Sequence, residues 1–268
     1  MKIRTAYKTD PGLQRSENED SVVVLRDKAG LDALLVVCDG MGGLAAGHLA
    51  SSIAVETFVS TIEKDGEKGA EAGRLKEGSA RSNSAVHEAS QQNAAWAGMG
   101  STLVAVAIEG DDLALVNVGD SPAYLFREGD YTLISQDHSW PAEQVRLGLI
   151  RPEEARDHPM KHRLTRAIGV WDHIPAYTKS VKLKPGDSIV LCSDGVETAG
   201  VSVEEMWDLI QGKELDAGLK RVIDRCRELG APDNVTIAVA RIEGAPERAK
   251  DDDDVGKTVA LPAYKKKG

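Results

Sequence analysis

The sequence predicts an α+β fold, a sandwich of antiparallel sheets. Three observations predict it. Apolar runs rich in β-branched residues recur at 33–37, 113–118, 188–193 and 235–240, and short runs of this kind bounded by turn residues read as buried strands. Compact turn signals such as Arg127-Glu128-Gly129-Asp130 and Lys184-Pro185-Gly186 link neighbouring runs. Strands come first, then helices, then strands again, which fits an α+β arrangement.

Taken in order, residues 2–8 predict a first strand and Thr9-Asp10-Pro11-Gly12 a turn. Residues 21–25 and 33–37 predict two more strands. Between 44 and 62, Leu49, Ile53, Phe58, Val59 and Ile62 fit a helix. The charged, Gly-rich stretch 63–78 reads as a surface connection or the weak start of a helix, and 79–95 as a polar, Ala-rich helix. A strand opens at Gly98-Met99-Gly100-Ser101-Thr102 and runs to Ile108; another follows at 113–118. Residues 124–126 and 131–134 predict a hairpin. Residues 136–163 break the pattern with Trp140-Pro141, Pro152, His158-Pro159 and many charges, and are expected to form a mobile, functional segment. Strands resume at 174–183 and 187–193. Helices are expected at 203–211 and 215–229, the second with Leu215, Leu219, Val222, Ile223, Cys226 and Leu229 at helical spacing. A last strand ends near Ile242. Beyond it, Gly244-Ala245-Pro246, the acids 251–254 and the lysines 265–267 predict a flexible tail over 244–268, leaving 1–243 as the folded domain.

A formal charge of −10 argues against nucleic acid as the main partner. Cys38, Cys192 and Cys226 are odd in number and lack Cys-x-x-Cys spacing, so neither a disulfide framework nor a zinc ribbon is expected and a reducing cytosol fits. The first residues hold no apolar signal region, and no apolar run approaches a membrane span. The expected location is cytoplasmic.

The acids carry the chemistry. Asp39 closes the run 33–38 and is followed by Gly40-Met41-Gly42-Gly43. Gly119-Asp120-Ser121 follows another strand, and Asp194-Gly195 a third. Asn18-Glu19-Asp20 and Asp233-Asn234 precede strands instead. In an antiparallel sheet the end of one strand lies beside the start of its neighbour. Glu19, Asp20, Asp39, Asp120, Asp194 and Asp233 are therefore expected at one edge. Singly, each is an ordinary turn residue. Together they repel unless cations intervene, and an all-oxygen set suits Mg²⁺ or Mn²⁺.

Nearly the whole chain outside the tail, about 5–242, resembles the metal-dependent protein phosphatases of type 2C in their compact bacterial form. The motifs, in order, are Arg15-Ser16-Glu17-Asn18-Glu19-Asp20, Asp39-Gly40-Met41-Gly42-Gly43 with Ala46-Gly47 and Ala50-Ser51, Gly100-Ser101-Thr102, Val118-Gly119-Asp120-Ser121, Asp137-His138-Ser139, Leu164-Thr165-Arg166-Ala167-Ile168-Gly169, Ser193-Asp194-Gly195 and Pro232-Asp233-Asn234. The resemblance implies a central antiparallel β-sandwich flanked by helices on both sides, with two Mn²⁺ or Mg²⁺ ions at one edge and a weaker third. By the same resemblance Asp39 bridges both ions, Asp194 and Asp233 hold the first, and the Gly40 carbonyl with Glu19 and Asp20 serves the second. Asp120 with Asp194 supports the third, Arg15 holds the substrate phosphate, and 136–163 is the flap beside the site.

The implied activity is hydrolysis of phosphoserine and phosphothreonine in proteins, by a monomer that opposes a Ser/Thr protein kinase. Two ions activate and orient a water for in-line attack, while Arg15 offers a planar fork to phosphate oxygens. Two departures stand out. Met41 occupies the place of a histidine proposed as general acid in some relatives, leaving His162 and His48 as candidates; His162 is taken as a substrate-side residue of the flap. Pro122 replaces the Arg usual after Gly-Asp-Ser. Competing readings are a catalytically inactive binding module of the same fold and a metal-dependent hydrolase of small phosphate esters. Thr258, beyond the acids of the tail, is a candidate phosphosite.

Overall fold

The computed structural model describes residues 2–42, 46–64, 71–244 and 258–260. Strands β1 (Ile3–Asp10), β2 (Asp20–Lys28) and β3 (Leu31–Met41) precede helices α1 (Ala46–Lys64) and α2 (Ala72–Gln92). Strands β4 (Gly100–Ser101), β5 (Leu103–Glu109), β6 (Asp112–Val118), β7 (Ala123–Arg127) and β8 (Asp130–Leu133) follow, then short helices α3 (Trp140–Arg146) and α4 (Pro152–Arg156). Strands β9 (Tyr177–Lys182) and β10 (Ser188–Cys192), helices α5 (Gly195–Thr198), α6 (Val203–Ile210) and α7 (Leu215–Glu228), and strands β11 (Val235–Ile242) and β12 (Thr258–Ala260) complete the order.

One sheet runs β1-β11-β10-β7-β8 and the other β12-β2-β3-β5-β6-β9, with β4 paired to β3. Every pairing is antiparallel. Strand β3 shows why its sequence reads as a continuous apolar run and not an alternating one. Ala33, Leu35 and Val37 face the other sheet, while Leu34, Val36 and Cys38 join a second core with Ala50, Ala54 and Phe58 of α1. Both faces are thus buried, so neither position can be polar. A third core packs Met206 and Ile210 of α6 and Leu219, Val222 and Cys226 of α7 on the outer face of the five-stranded sheet. The layers are helix, sheet, sheet, helix, as expected.

Helix α2 starts at Ala72, so of the two readings of 63–78 the helix start holds for 72–78. Its glycines look like helix breakers in sequence, yet Gly78 is buried where a Cβ would lie 3.0 Å from the Phe58 ring. It lets α2 approach α1 closely, a packing reason that outweighs helix propensity. The segment 136–163 contains α3, capped by Ser139 with Pro141 in the first turn, and α4, begun by Arg151 and Glu154. Pro141 and Pro152 start helices here, as their fixed φ allows. Within the stretch expected as a flexible tail, 258–260 form a short strand. Strand β12 pairs with β2, setting Thr258 opposite Val24 and Ala260 opposite Val22. This covers an edge that would otherwise expose unpaired backbone groups. Gly43, the acids 251–254 and the rest of the tail lie outside the described residues. Among those described, no helix is long and apolar enough to cross a membrane.

Candidate active site

The register of β2 against β3 sets Asp20 directly opposite Asp39, as the antiparallel argument requires. The two sheets then meet at this end. Ser193, just after β10, donates from Oγ to Asp20 Oδ2 at 2.8 Å, and the Glu19 N–H donates to Asn234 Oδ1 at 2.8 Å. Thr102, where β4 gives way to β5, donates its N–H to the Asp39 carbonyl at 2.8 Å and accepts the Asp39 N–H on Oγ1 at 2.9 Å. The backbone of Asp39 is therefore held on both sides before its carboxylate does anything.

Gly40 explains the glycine that follows. A Cβ there would lie 2.0 Å from the Gly47 carbonyl oxygen and 2.6 Å from that of Glu19. Only glycine lets β3, the first turn of α1 and the Glu19 backbone come together. Its N–H donates to the Glu19 carbonyl at 3.2 Å, and Ser51 Oγ donates to the same oxygen.

One cavity of about 240 Å³ is lined by Arg15, Glu19, Asp39, Gly40, Asp120, His162, Asp194 and Asp233 among others. It gathers every predicted site residue except Asp20, which lies buried behind it with Oδ1 lacking a hydrogen-bond partner. Burial, then mutual repulsion, raises the pKa of Asp39 well above the carboxylate range, of Asp20 to about 7 and of Asp120 to about 8. Asp194 is raised for the same reasons, and its carboxyl is within hydrogen-bonding reach of Asp39. Glu19 is raised by burial, opposed by Arg15. Acids this crowded call for cations. An orphaned buried oxygen and an all-oxygen donor set fit hard divalent ions. Among the described residues no group of three or more His, Cys, Asp or Glu is gathered closely enough to hold an ion by itself.

Arg15 sits at the rim, donating from Nη2 to Asp233 Oδ2 at 2.8 Å with Nη1 3.9 Å from Glu19 Oε2. His162 reaches the cavity from the segment 136–163. His158 does not line the cavity; its ring lies tilted at 32° against Trp140 with centroids 4.9 Å apart.

His138 is a residue whose role the sequence did not show. Its ring is fully buried and Nδ1 accepts the Gly119 N–H at 3.1 Å. Its own N–H donates to the Gly119 carbonyl at 3.1 Å, and its carbonyl accepts from Thr165 N–H and Oγ1 at 2.7 and 2.8 Å. It pins the loop carrying Asp120 to both ends of the segment 136–163. Asn117 adds two bonds across the same gap, to and from Gln136. The signal was there in Asp137-His138-Ser139, but a motif states no partner.

The model of the family described as protein phosphatase 2C matches residues 14–232. The chain belongs to the protein phosphatase 2C family. It is 36% identical over 240 residues to the serine/threonine protein phosphatase PstP of Mycobacterium tuberculosis, covering 90% of this chain and 45% of that relative. The chain thus spans about half the length of the mycobacterial relatives it matches. It is 32% identical over 240 residues to the protein phosphatase PhpP of Streptococcus pneumoniae, covering 86% of this chain and 94% of PhpP. The solved catalytic domain of PstP with two manganese ions superposes with a TM-score of 0.77 at 34% identity, over 90% of this chain and 99% of that one. Membership accounts for the ordered acids and for the sheet ends that bring them together.

Proposed function

We propose that the protein is a metal-dependent phosphatase that removes phosphate from serine and threonine in proteins. The observation that carries this reading is the single cavity into which five strand ends and a loop deliver Arg15, Glu19, Asp39, Asp120, Asp194 and Asp233. The manganese ions of the PstP structure and the names of the relatives support it.

Glu19, Asp20, Asp39, the Gly40 carbonyl, Asp194 and Asp233 hold two Mn²⁺ or Mg²⁺ ions, and Asp120 with Asp194 a weaker third. When bound, the ions supply a nucleophilic water at neutral pH and offset charge on the phosphoryl oxygens. Arg15 orients the phosphate, and Asp233 aims its guanidinium. Thr102 and the Gly40–Gly47 contact keep Asp39 fixed during turnover. His162 stands where the flap meets substrate. The substrates are phosphorylated proteins and the natural counterpart is a Ser/Thr protein kinase. The enzyme works as a cytoplasmic monomer, in keeping with three buried cysteines that form no disulfide.

The test is phosphate release from phosphothreonine peptides with and without Mn²⁺. Metal-dependent release that Asp39→Asn abolishes is expected. Metal-bound protein that hydrolyses neither peptide nor small ester would make it a binding module instead, and turnover of esters alone would make it a small-molecule hydrolase.

A further inference from the structure

We propose that a cavity on the side of α5 away from the flap binds a lysine or arginine side chain of the phosphoprotein, and so selects substrates with a basic residue near the phosphorylated one. This rests on the phosphatase reading above.

The cavity measures about 560 Å³ and lies between the β7–β8 hairpin and the α5–α6 segment. This volume is in the range of ordinary ligand sites. Tyr124, Val196 and Met206 line its buried part and Tyr131 its open side. The Tyr124 and Tyr131 rings meet edge to face with centroids 6.1 Å apart. Phe126 backs Tyr131 at 5.9 Å and itself stacks on Trp207 at 4.3 Å. The wall is therefore rigid as well as aromatic.

The rim is acidic. Glu197 and Glu204 both line the cavity, and among the described residues no Lys, Arg or His does. Tyr131 donates its hydroxyl to Glu204 Oε1 at 2.8 Å, which fixes the carboxylate beside the ring. Aromatic faces with carboxylates attract cations. The same charges repel phosphate, so this is no second phosphate site. A long aliphatic stem with a cationic head suits an apolar floor with an acidic rim.

The cavity also adjoins the reacting centre. Ser193, in its lining, precedes Asp194; Pro122 follows Asp120 by two residues. Glu197 is shared with the neighbouring cavity of about 350 Å³ that holds Asp120, His162 and Asp194. The shared Glu197 makes this cavity the neighbour that a flanking side chain of a seated peptide, advancing roughly 3.3 Å per residue, would enter.

The experiment walks one lysine, or one norleucine as its uncharged isostere, through a phosphothreonine peptide from four residues before the phosphorylated position to four after. Lysine at one or two positions should raise kcat/KM about tenfold over norleucine, through KM. Glu204→Gln and Tyr131→Ala should each remove most of that gain, with turnover of a small ester unchanged; Tyr131→Phe should keep more of it than Tyr131→Ala. Equal turnover of all peptides, or a gain that survives both variants, would overturn the cavity assignment while leaving the phosphatase reading intact. Hydrolysis of no peptide at all would overturn both.

Discussion

Arg15 Nη2 donates to Asp233 Oδ2 at 2.8 Å, so the side chain proposed to orient phosphate is itself oriented by one proposed to hold metal. Both are partly exposed, and an ion pair at such a surface adds little to stability. Its value is positional. Arg15→Ala should therefore leave the melting temperature nearly unchanged, raise KM for a phosphopeptide by about tenfold or more, and lower kcat less. Arg15→Lys should not restore KM, because a point charge lacks the fork. A loss confined to kcat would show that Arg15 acts in the transition state alone.

Asp39→Asn and Asp194→Ala should lower turnover by several orders of magnitude while the fold persists. Both side chains face the cavity, so no packing is lost. Mn²⁺ titration followed by the free-ion electron paramagnetic resonance signal should show fewer bound ions per chain in each variant. Full occupancy with full turnover in either would remove that residue from the metal site.

The raised acids give stability a definite pH dependence once metal is removed with a chelator. A carboxylate with a folded pKa above its unfolded value holds its proton more tightly when folded. It contributes stability below the unfolded value, near 4, and loses it as pH rises through the folded value. Asp20 at about 7 and Asp120 at about 8 set the window, with Asp39 and Asp194 shifted the same way. His138 acts oppositely: burial lowers it to about 4, so its contribution is present above about 6.5 and fades as pH falls towards 4. Four acids outweigh one imidazole. The chelated protein should melt lower at pH 8 than at pH 5, with Mn²⁺ or Asp39→Asn narrowing the difference. A chelated protein more stable at pH 8 would contradict the crowding of these acids.

His138 should matter beyond its packing. Replacing it with Ala leaves a cavity and orphans the Gly119 N–H, a combined cost of roughly 3 kcal/mol. Gly119 precedes Asp120, so the variant should also need more Mn²⁺ for half-maximal turnover. His138→Asn, whose side-chain oxygen can accept the same N–H, should recover part of both. Destabilisation with an unchanged Mn²⁺ requirement would reduce His138 to a structural role.

The clustering of the candidate metal acids was legible because antiparallel geometry converts sequence position into spatial position. Asp20 opposite Asp39 follows from strand order alone. Gly78 misled for the converse reason: its burial against Phe58 depends on how two helices dock, which local propensity does not encode. His138 stayed silent because its partners Gly119 and Thr165 are 19 and 27 residues away, on either side of it. The β12 pairing was missed because charge runs dominate the tail, and three residues in an edge strand make no periodic signal of their own.

That pairing sharpens the last expectation. Thr258 lies opposite Val24 and Ala260 opposite Val22, two residues beyond Asp20. Strand β2 is already paired to β3 along eight register positions from Asp20 to Lys28. Three further residues at its outer edge therefore add little to what holds Asp20 in place. Truncation after Glu243 should leave small-ester turnover and the Mn²⁺ requirement unchanged, with a melting temperature lower by only a few degrees, the shift that about 1 kcal/mol produces in a domain of this size. A phosphate at Thr258 would add charge beside a sheet edge, so Thr258→Glu should expose the β2 amides to faster hydrogen exchange without altering ester turnover. Loss of turnover on truncation would mean that the tail strand supports the metal site through β2, and Thr258 would then be a switch on catalysis itself.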